Sequence, residues 1–307
     1  MREQADRYAA FTQHIAEGGK VDATDWMPDE YRQVVLKTVS FQALAEVVGT
    51  VVFAEWLPQA PTIMSKLILA AKIQDEIGHG HILMRVCEDL GLSRETIIEE
   101  YLAGHRKVLA FFQYHIEDWH HFAINCLMGT CAALIQFQSL SRGSYLPYNR
   151  ALRKIMKEES FHYHRALDLV RTYVERGTDE QRQMIQEGLN LWWYRNLSYF
   201  GPSDRSRPQS PSMLWRIKVD LNDELRQQWL DRIVPLLTGF GLTIPDAQLR
   251  RDSETGIWLY TEPDWNEFRQ VTVEGTPYSI TVKQRVEQEF HKHEWVRKLG
   301  QPVGAVA

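Results

Sequence analysis

Two stretches of this sequence carry metal-binding residue types at one spacing: Asp75-Glu76-Ile-Gly-His79 and Glu158-Glu159-Ser-Phe-His162. In each, a glutamate precedes a histidine by three positions. On a helix that spacing puts both side chains on one face, within reach of one point. A carboxylate and a neutral imidazole together suit iron or manganese. One Glu-x-x-His in a chain with eleven histidines carries little weight. Two of them, on separate long segments and each preceded by another acid, point to a shared centre.

A third contribution comes from Glu46, the one acid in the apolar run Ala43-Leu-Ala-Glu-Val-Val-Gly49. An acid in such a run is costly to bury unless it is paired or metal-bound. It lies thirty residues before Glu76, a separation that suits two antiparallel helices meeting at one level. The same interval counted back from Glu159 reaches Met128-Gly129-Thr130-Cys131, which contains no carboxylate. The nearest acids on that segment, Glu117 and Asp118, lie about 18 Å up the helix axis, out of reach. Two Glu-x-x-His helices and two further helices giving one carboxylate each form the ligand set of a di-metal carboxylate bundle. Five members of that set are present: Glu46, Glu76, His79, Glu159 and His162.

Around them, Asp75 and Glu158 are placed either to orient the ligand histidines or to form surface ion pairs. Thr130 borders the gap in the ligand set, near Cys131 and Gln136. His81 and His164 lie two residues past a proposed ligand, on another face. His291 and His293 read as polar positions of the last helix, with no role in the centre.

The elements that must position these residues are helical. Asp25-Trp-Met-Pro28 opens a helix that runs to about Trp56 and stops at Pro58 and Pro61. A second spans about 62–90 and ends at Gly91, followed by a short helix at about 93–103 capped by Ser93. The third, 118–141, has no charge between Cys131 and Leu140 and belongs in the middle of a bundle. The fourth runs over about 148–175. Further helices are expected at about 180–199, 222–238 and 281–298. The Pro- and Gly-punctuated 239–277 reads as irregular, with short strands near 257–260. The fold class is therefore all-α: a ferritin-like four-helix bundle with additional C-terminal helices. Residues 1–24 read as a polar lead-in, 25–176 as the metal-binding bundle, and 177–307 as a helical extension packed on it, in one domain overall.

Composition narrows the function classes. A formal charge of −5 over 307 residues argues against a nucleic-acid partner. No stretch reaches the roughly 18 uninterrupted apolar residues of a membrane span, and the polar, acid-containing start reads as neither signal nor transit peptide. Three cysteines without zinc-type spacing fit a reducing, cytoplasmic setting.

At these motifs the chain resembles the family of catalytic A subunits of ring-1,2-phenylacetyl-CoA epoxidases, the phenylacetic acid catabolic proteins. The resemblance runs through Asp25-Trp-Met-Pro-Asp-Glu-Tyr31, Glu46-Val-Val-Gly49 and Lys72-Ile-Gln-Asp-Glu-Ile-Gly-His-Gly80. It continues in Lys157-Glu-Glu-Ser-Phe-His162, Trp192-Trp193, Phe200-Gly-Pro-Ser-Asp204 and Asn222-Asp-Glu-Leu-Arg226, so it covers nearly the whole chain. It implies a monooxygenase that activates O2 at two irons, manganese or a mixed pair being acceptable to the same ligands, and epoxidises the ring of an aromatic acyl-CoA. It also implies a flavin/iron–sulfur reductase, an oligomeric assembly and a helical partner subunit. By position Glu46, Glu76, His79, Glu159 and His162 match the family's iron ligands. Its sixth ligand, an aspartate, falls on Thr130, and here the chain departs from the pattern.

Two other readings stay open: a one-metal or mixed-metal homologue with another substrate, and a non-catalytic scaffold within the complex. For CoA phosphates, Lys66, Lys72, Arg106 and Lys107 are the basic candidates.

Overall fold

The computed structural model describes residues 2–206 and 209–299. Four long helices make the bundle: α2 (Asp29–Glu55), α3 (Ile63–Glu88), α5 (Trp119–Leu140) and α6 (Leu146–Arg176). The remaining labels follow chain order, with α1 (Arg2–Ala16) before the bundle and α4 (Arg94–Leu102) between its two halves. Helices α2 and α3 pack as one antiparallel pair and α5 and α6 as the other, and α3 meets α6 between them. The two Glu-x-x-His helices are thus neighbours, as a shared centre requires. A crossover containing α4 and a 3₁₀ turn at Ala110–Gln113 joins the pairs.

Local chemistry sets the boundaries. Helix α2 starts directly after Pro28 with Asp29 and Glu30 in its first turn, where acids complement the helix dipole. Thr62 caps α3 by accepting from the Ser65 N–H, and Ser93 caps α4 by accepting from Thr96 N–H. At α7 (Asp179–Leu197), Thr178 and Gln181 satisfy each other's backbone donors in a capping box.

Helix α5 is buried over almost its whole length because four other elements surround it. It lies against α2's end of the core, α6, α7 and α9 (Asn222–Gly239). Trp229 of α9 donates its indole N–H to the Met128 carbonyl of α5 at 3.0 Å, and Asn196 of α7 donates to Asn125 at 3.1 Å. Helices α2 and α5 are long and apolar enough to cross a membrane by length and composition, yet their most apolar windows are 61% and 83% buried inside the fold. That burial is what core helices of a bundle show.

Three stretches differ from the expected pattern. The polar lead-in contains α1, whose Phe11 and Ile15 are buried; Phe11 packs edge-on against Tyr31 at 5.1 Å. Between the helices expected at about 180–199 and 222–238, where no element is expected from the sequence, lies the short α8 (Pro211–Leu214). The stretch expected to be irregular holds α10 (Trp265–Glu274), capped by Asp264, after a two-residue hairpin of β1 (Arg250–Arg251) and β2 (Trp258–Leu259). The last expected helix is α11 (Pro277–Lys292), followed by α12 (Glu294–Arg297).

Candidate metal centre

Helix α2 brings Glu46, α3 brings Glu76 and His79, and α6 brings Glu159 to one buried point, where one ligand atom from each lies within 4.8 Å of all the others. The approach of α2 to α3 depends on Gly80. A Cβ there would stand 2.7 Å from a Val47 methyl and 3.3 Å from the Ala43 carbonyl oxygen. His79 is wholly buried. Among the described residues its Nδ1 has no hydrogen-bond partner, and it faces Glu159 at 3.5 Å, Glu76 at 3.7 Å and Glu46 at 3.9 Å. On the opposite side of the ring, Nε2 meets the Glu158 carboxylate at 3.0 Å.

His162 repeats the arrangement on α6. Its Nδ1 lies 3.1 Å from Glu159 and 3.6 Å from Glu76, and its Nε2 lies 3.1 Å from Asp75. Asp75 and Glu158 therefore bind the outward nitrogens of the two imidazoles. Each acid sits on the other histidine's helix, so the pairs cross between α3 and α6. The inward nitrogens then face the carboxylates, the orientation an outer acid imposes on an imidazole. The two imidazole centroids are 6.1 Å apart.

Crowding in a buried space perturbs Glu46, Glu76 and His79. Burial above all, reinforced by the Glu76 and Glu159 charges and opposed by His79, pushes the Glu46 carboxyl up to about 8. Burial acts on Glu76 the same way, but the Lys72 ammonium and His79 overcome it and hold that carboxyl well below the usual range. For His79, burial disfavours the charged ring, yet Glu46 and Glu76 win and raise it to about 10. An orphaned, buried imidazole nitrogen surrounded by three carboxylates fits a divalent cation, which would satisfy all four groups at once.

The sequence alone does not reveal what two residues of this neighbourhood do. Lys72, a candidate phosphate contact by its charge, extends inward over the Phe53 ring and pairs with Glu76. Its ammonium is also 3.3 Å from His162 Nδ1. Gln42 donates to Glu46 at 3.4 Å while accepting from the Tyr148 hydroxyl. Both residues stand four positions before a member of the carboxylate cluster, and that i, i+4 spacing is the signal the sequence offers. Thr130 is buried on α5 facing the same cavity. Asp118 is exposed at the start of α5, outside the cluster, as its distance along the helix implies.

A cavity of about 290 Å³ opens onto Glu46, Glu76 and Glu159 and is walled largely by aromatic side chains, among them Phe111, Phe112 and Tyr199. A second, of about 430 Å³, reaches the centre from between α3, α5 and α6, past Trp119 and His162. Lys72, Cys126 and Thr130 border both cavities.

An all-α, ferritin-like bundle whose inner helices converge three carboxylates and a histidine on one buried point defines the class of helical bundles with a candidate metal-binding core. Within that class the chain belongs to the phenylacetic acid catabolic protein family, whose model matches residues 11–295. It is 39% identical over 262 residues to the A subunit of the 1,2-phenylacetyl-CoA epoxidase of Escherichia coli (strain K12), with 85% of this chain and 84% of that one covered.

Proposed function

We propose that this protein is the oxygenase component of a multicomponent enzyme that inserts oxygen into the ring of an aromatic acyl-CoA such as phenylacetyl-CoA, using iron held by Glu46, Glu76, His79, Glu159 and His162. The observation that carries the reading is the buried four-residue cluster opening directly onto an aromatic-walled cavity. The family and the named relative supply the substrate class.

Iron bound there would supply the dioxygen activation that side chains alone cannot perform. The chain's own residues do the rest. Glu46, Glu76 and Glu159 offer the anionic oxygens and the two histidines the neutral nitrogens. Asp75 and Glu158 hold the imidazole rings in register. Gln42, steadied by Tyr148, orients Glu46. The Phe111, Phe112 and Tyr199 wall would pack an aromatic ring and keep bulk water away from the metal face.

Monooxygenation places one oxygen atom in the substrate and reduces the other to water, so it consumes two electrons from outside. That demand supports a separate electron donor; from the family resemblance we further propose a flavin/iron–sulfur reductase, a helical partner subunit, an oligomeric assembly and a cytoplasmic setting. Exposed apolar residues on the bundle surface, Leu67 of α3 and Phe161 of α6 beside the second cavity, support a protein neighbour. We also propose that 177–307 is a helical extension packed on the bundle, in one domain overall.

The test is oxygen uptake by iron-loaded protein supplied with reductase, phenylacetyl-CoA and the partner subunit, the oxygenated thioester being identified by mass spectrometry. Substrate-dependent uptake that Glu159→Ala abolishes is the expected result. Equal uptake by wild type and variant, with no oxygenated thioester, would refute the oxygenase reading.

A further inference from the structure

We propose that the centre of this chain holds one divalent metal rather than two, with the Lys72 ammonium serving as its second cation; the inference rests on the metal-centre reading above. The two oxygens of Glu76 divide the site. Oε2 faces His79 Nδ1, together with Glu46 and Glu159, and these four groups form a complete donor set. Oε1 instead pairs with Lys72 and lies 3.6 Å from His162 Nδ1, so with a single ion His162 is held by Lys72 and Glu159 and leaves the five-residue ligand set proposed above. Among the described residues, this second side has as its remaining contacts the 3.3 Å approach of Lys72 to His162 and the oxygen of Glu159. The α5 wall, which borders Lys72 in both cavities, offers Thr130 and Cys126 and no carboxylate.

Charge decides the count. The centre buries three carboxylates, Glu46, Glu76 and Glu159. One divalent ion and one ammonium cancel them. Adding a second divalent ion beside Lys72 would leave two uncompensated positive charges in a buried site, which is strongly unfavourable. Expelling Lys72 would cost its ion pair with Glu76 and its seat on the Phe53 ring, 4.7 Å from the ring centre. A threonine hydroxyl brings neither the charge nor the second donor oxygen that would offset that loss. Two divalent ions need a fourth carboxylate and an absent ammonium, so the substitutions that would restore them are Thr130→Asp and Lys72→Met together.

The experiment strips the full-length protein of metal, loads it anaerobically with Mn²⁺ alone, and measures both metal per chain and the electron paramagnetic resonance spectrum. Wild type is expected to retain about one Mn²⁺ per chain with the six-line signal of an isolated ion, and the Lys72→Met/Thr130→Asp double variant about two, with the broadened spectrum of a coupled pair. Two ions with a coupled spectrum in wild type would overturn the proposal while leaving the metal-centre reading intact. A double variant that folds, by near-ultraviolet circular dichroism, yet stays at one ion would also overturn it. No retained ion in wild type would overturn the metal-centre reading and this proposal together. The wild-type spectrum needs no variant, so it decides even if the double variant fails to fold.

Discussion

Glu46 illustrates what the centre costs the metal-free protein. In the unfolded chain its carboxyl ionises near the ordinary 4.5, whereas the fold, burying it among Glu76 and Glu159, keeps it protonated to about 8. Between those values the folded state binds the extra proton, so stability falls as pH rises through the window and levels above it. Glu46→Gln removes the titration. The variant's advantage over metal-free wild type should therefore grow from pH 4.5 to about 8 and then stay constant. Urea midpoints in the presence of a chelator measure this directly, and parallel pH profiles would show that Glu46 is not so confined. The same variant should lose the rise in Tm that added Mn²⁺ gives wild type, because ligand binding to the native state is what raises it. The three thiols make a second residue-scale test. Burial pushes Cys87, Cys126 and Cys131 each up to about 12, so all three stay protonated and shielded at pH 8. A thiol-specific disulfide reagent should label none in the native protein and all three in denaturant; rapid native labelling would mean that the core opens. The proposed ligand pairs Glu76/His79 and Glu159/His162 are readable in the sequence because i, i+3 spacing on a helix is a geometric statement. Lys72 and Gln42 are harder to find, since a lysine or glutamine one turn from a ligand is ordinarily a solvated surface group.

At the level of elements, the centre's precision depends on how closely α2 and α3 approach. Gly80 permits that approach beside His79, and a side chain there would press on Val47 and on the Ala43 backbone, directly next to Glu46. Gly80→Val should cost about 1–3 kcal/mol by overpacking, read as a lower urea midpoint. It should also weaken Mn²⁺ affinity, because Glu46 is displaced from His79. Full affinity at reduced stability would place the strain elsewhere in the pair. The long helices are legible in the sequence to within a few residues because apolar patterning, Pro28, the Thr62 and Ser93 caps and Gly91 all mark the same boundaries. The short ones are not. Among its described residues, helix α1 buries only Phe11 and Ile15 beneath a mostly exposed polar face. Helix α10 buries only Val271, and its start is fixed by the Asp264 cap rather than by any apolar period. Such elements are stabilised by where they dock, and docking is a tertiary fact that local patterning does not carry.

Considered as a whole, the molecule closes its bundle with its own C-terminal half. Helix α5 forms one wall of the centre and is apolar nearly all round, so α6 on one side leaves its other faces needing cover. Helices α7 and α9 supply it: Trp192, Trp193, Trp229 and Ile233 are fully buried in the same core as Ile124, Leu127 and Met128 of α5. The Trp229 indole also bonds the Met128 carbonyl, one turn from Cys131 and two residues from Thr130. A chain ending at residue 176 would therefore expose the apolar back of α5 while retaining every proposed metal ligand. Such an exposed surface favours association. The truncated chain is expected to be recovered only as aggregate, or as a collapsed state without near-ultraviolet dichroism, and to retain no Mn²⁺. In the full-length protein, Trp229→Ala should act in the same direction more mildly, costing about 3–5 kcal/mol through the cavity it leaves, with Mn²⁺ affinity falling as α5 shifts. A truncated chain that is monomeric, cooperative in urea and metal-binding would show that the four bundle helices are self-sufficient and that α7 and α9 belong to a separate function. The predicted dependence arises because burying a carboxylate centre requires a dry wall behind it. In this chain the helices that supply no ligand provide that wall.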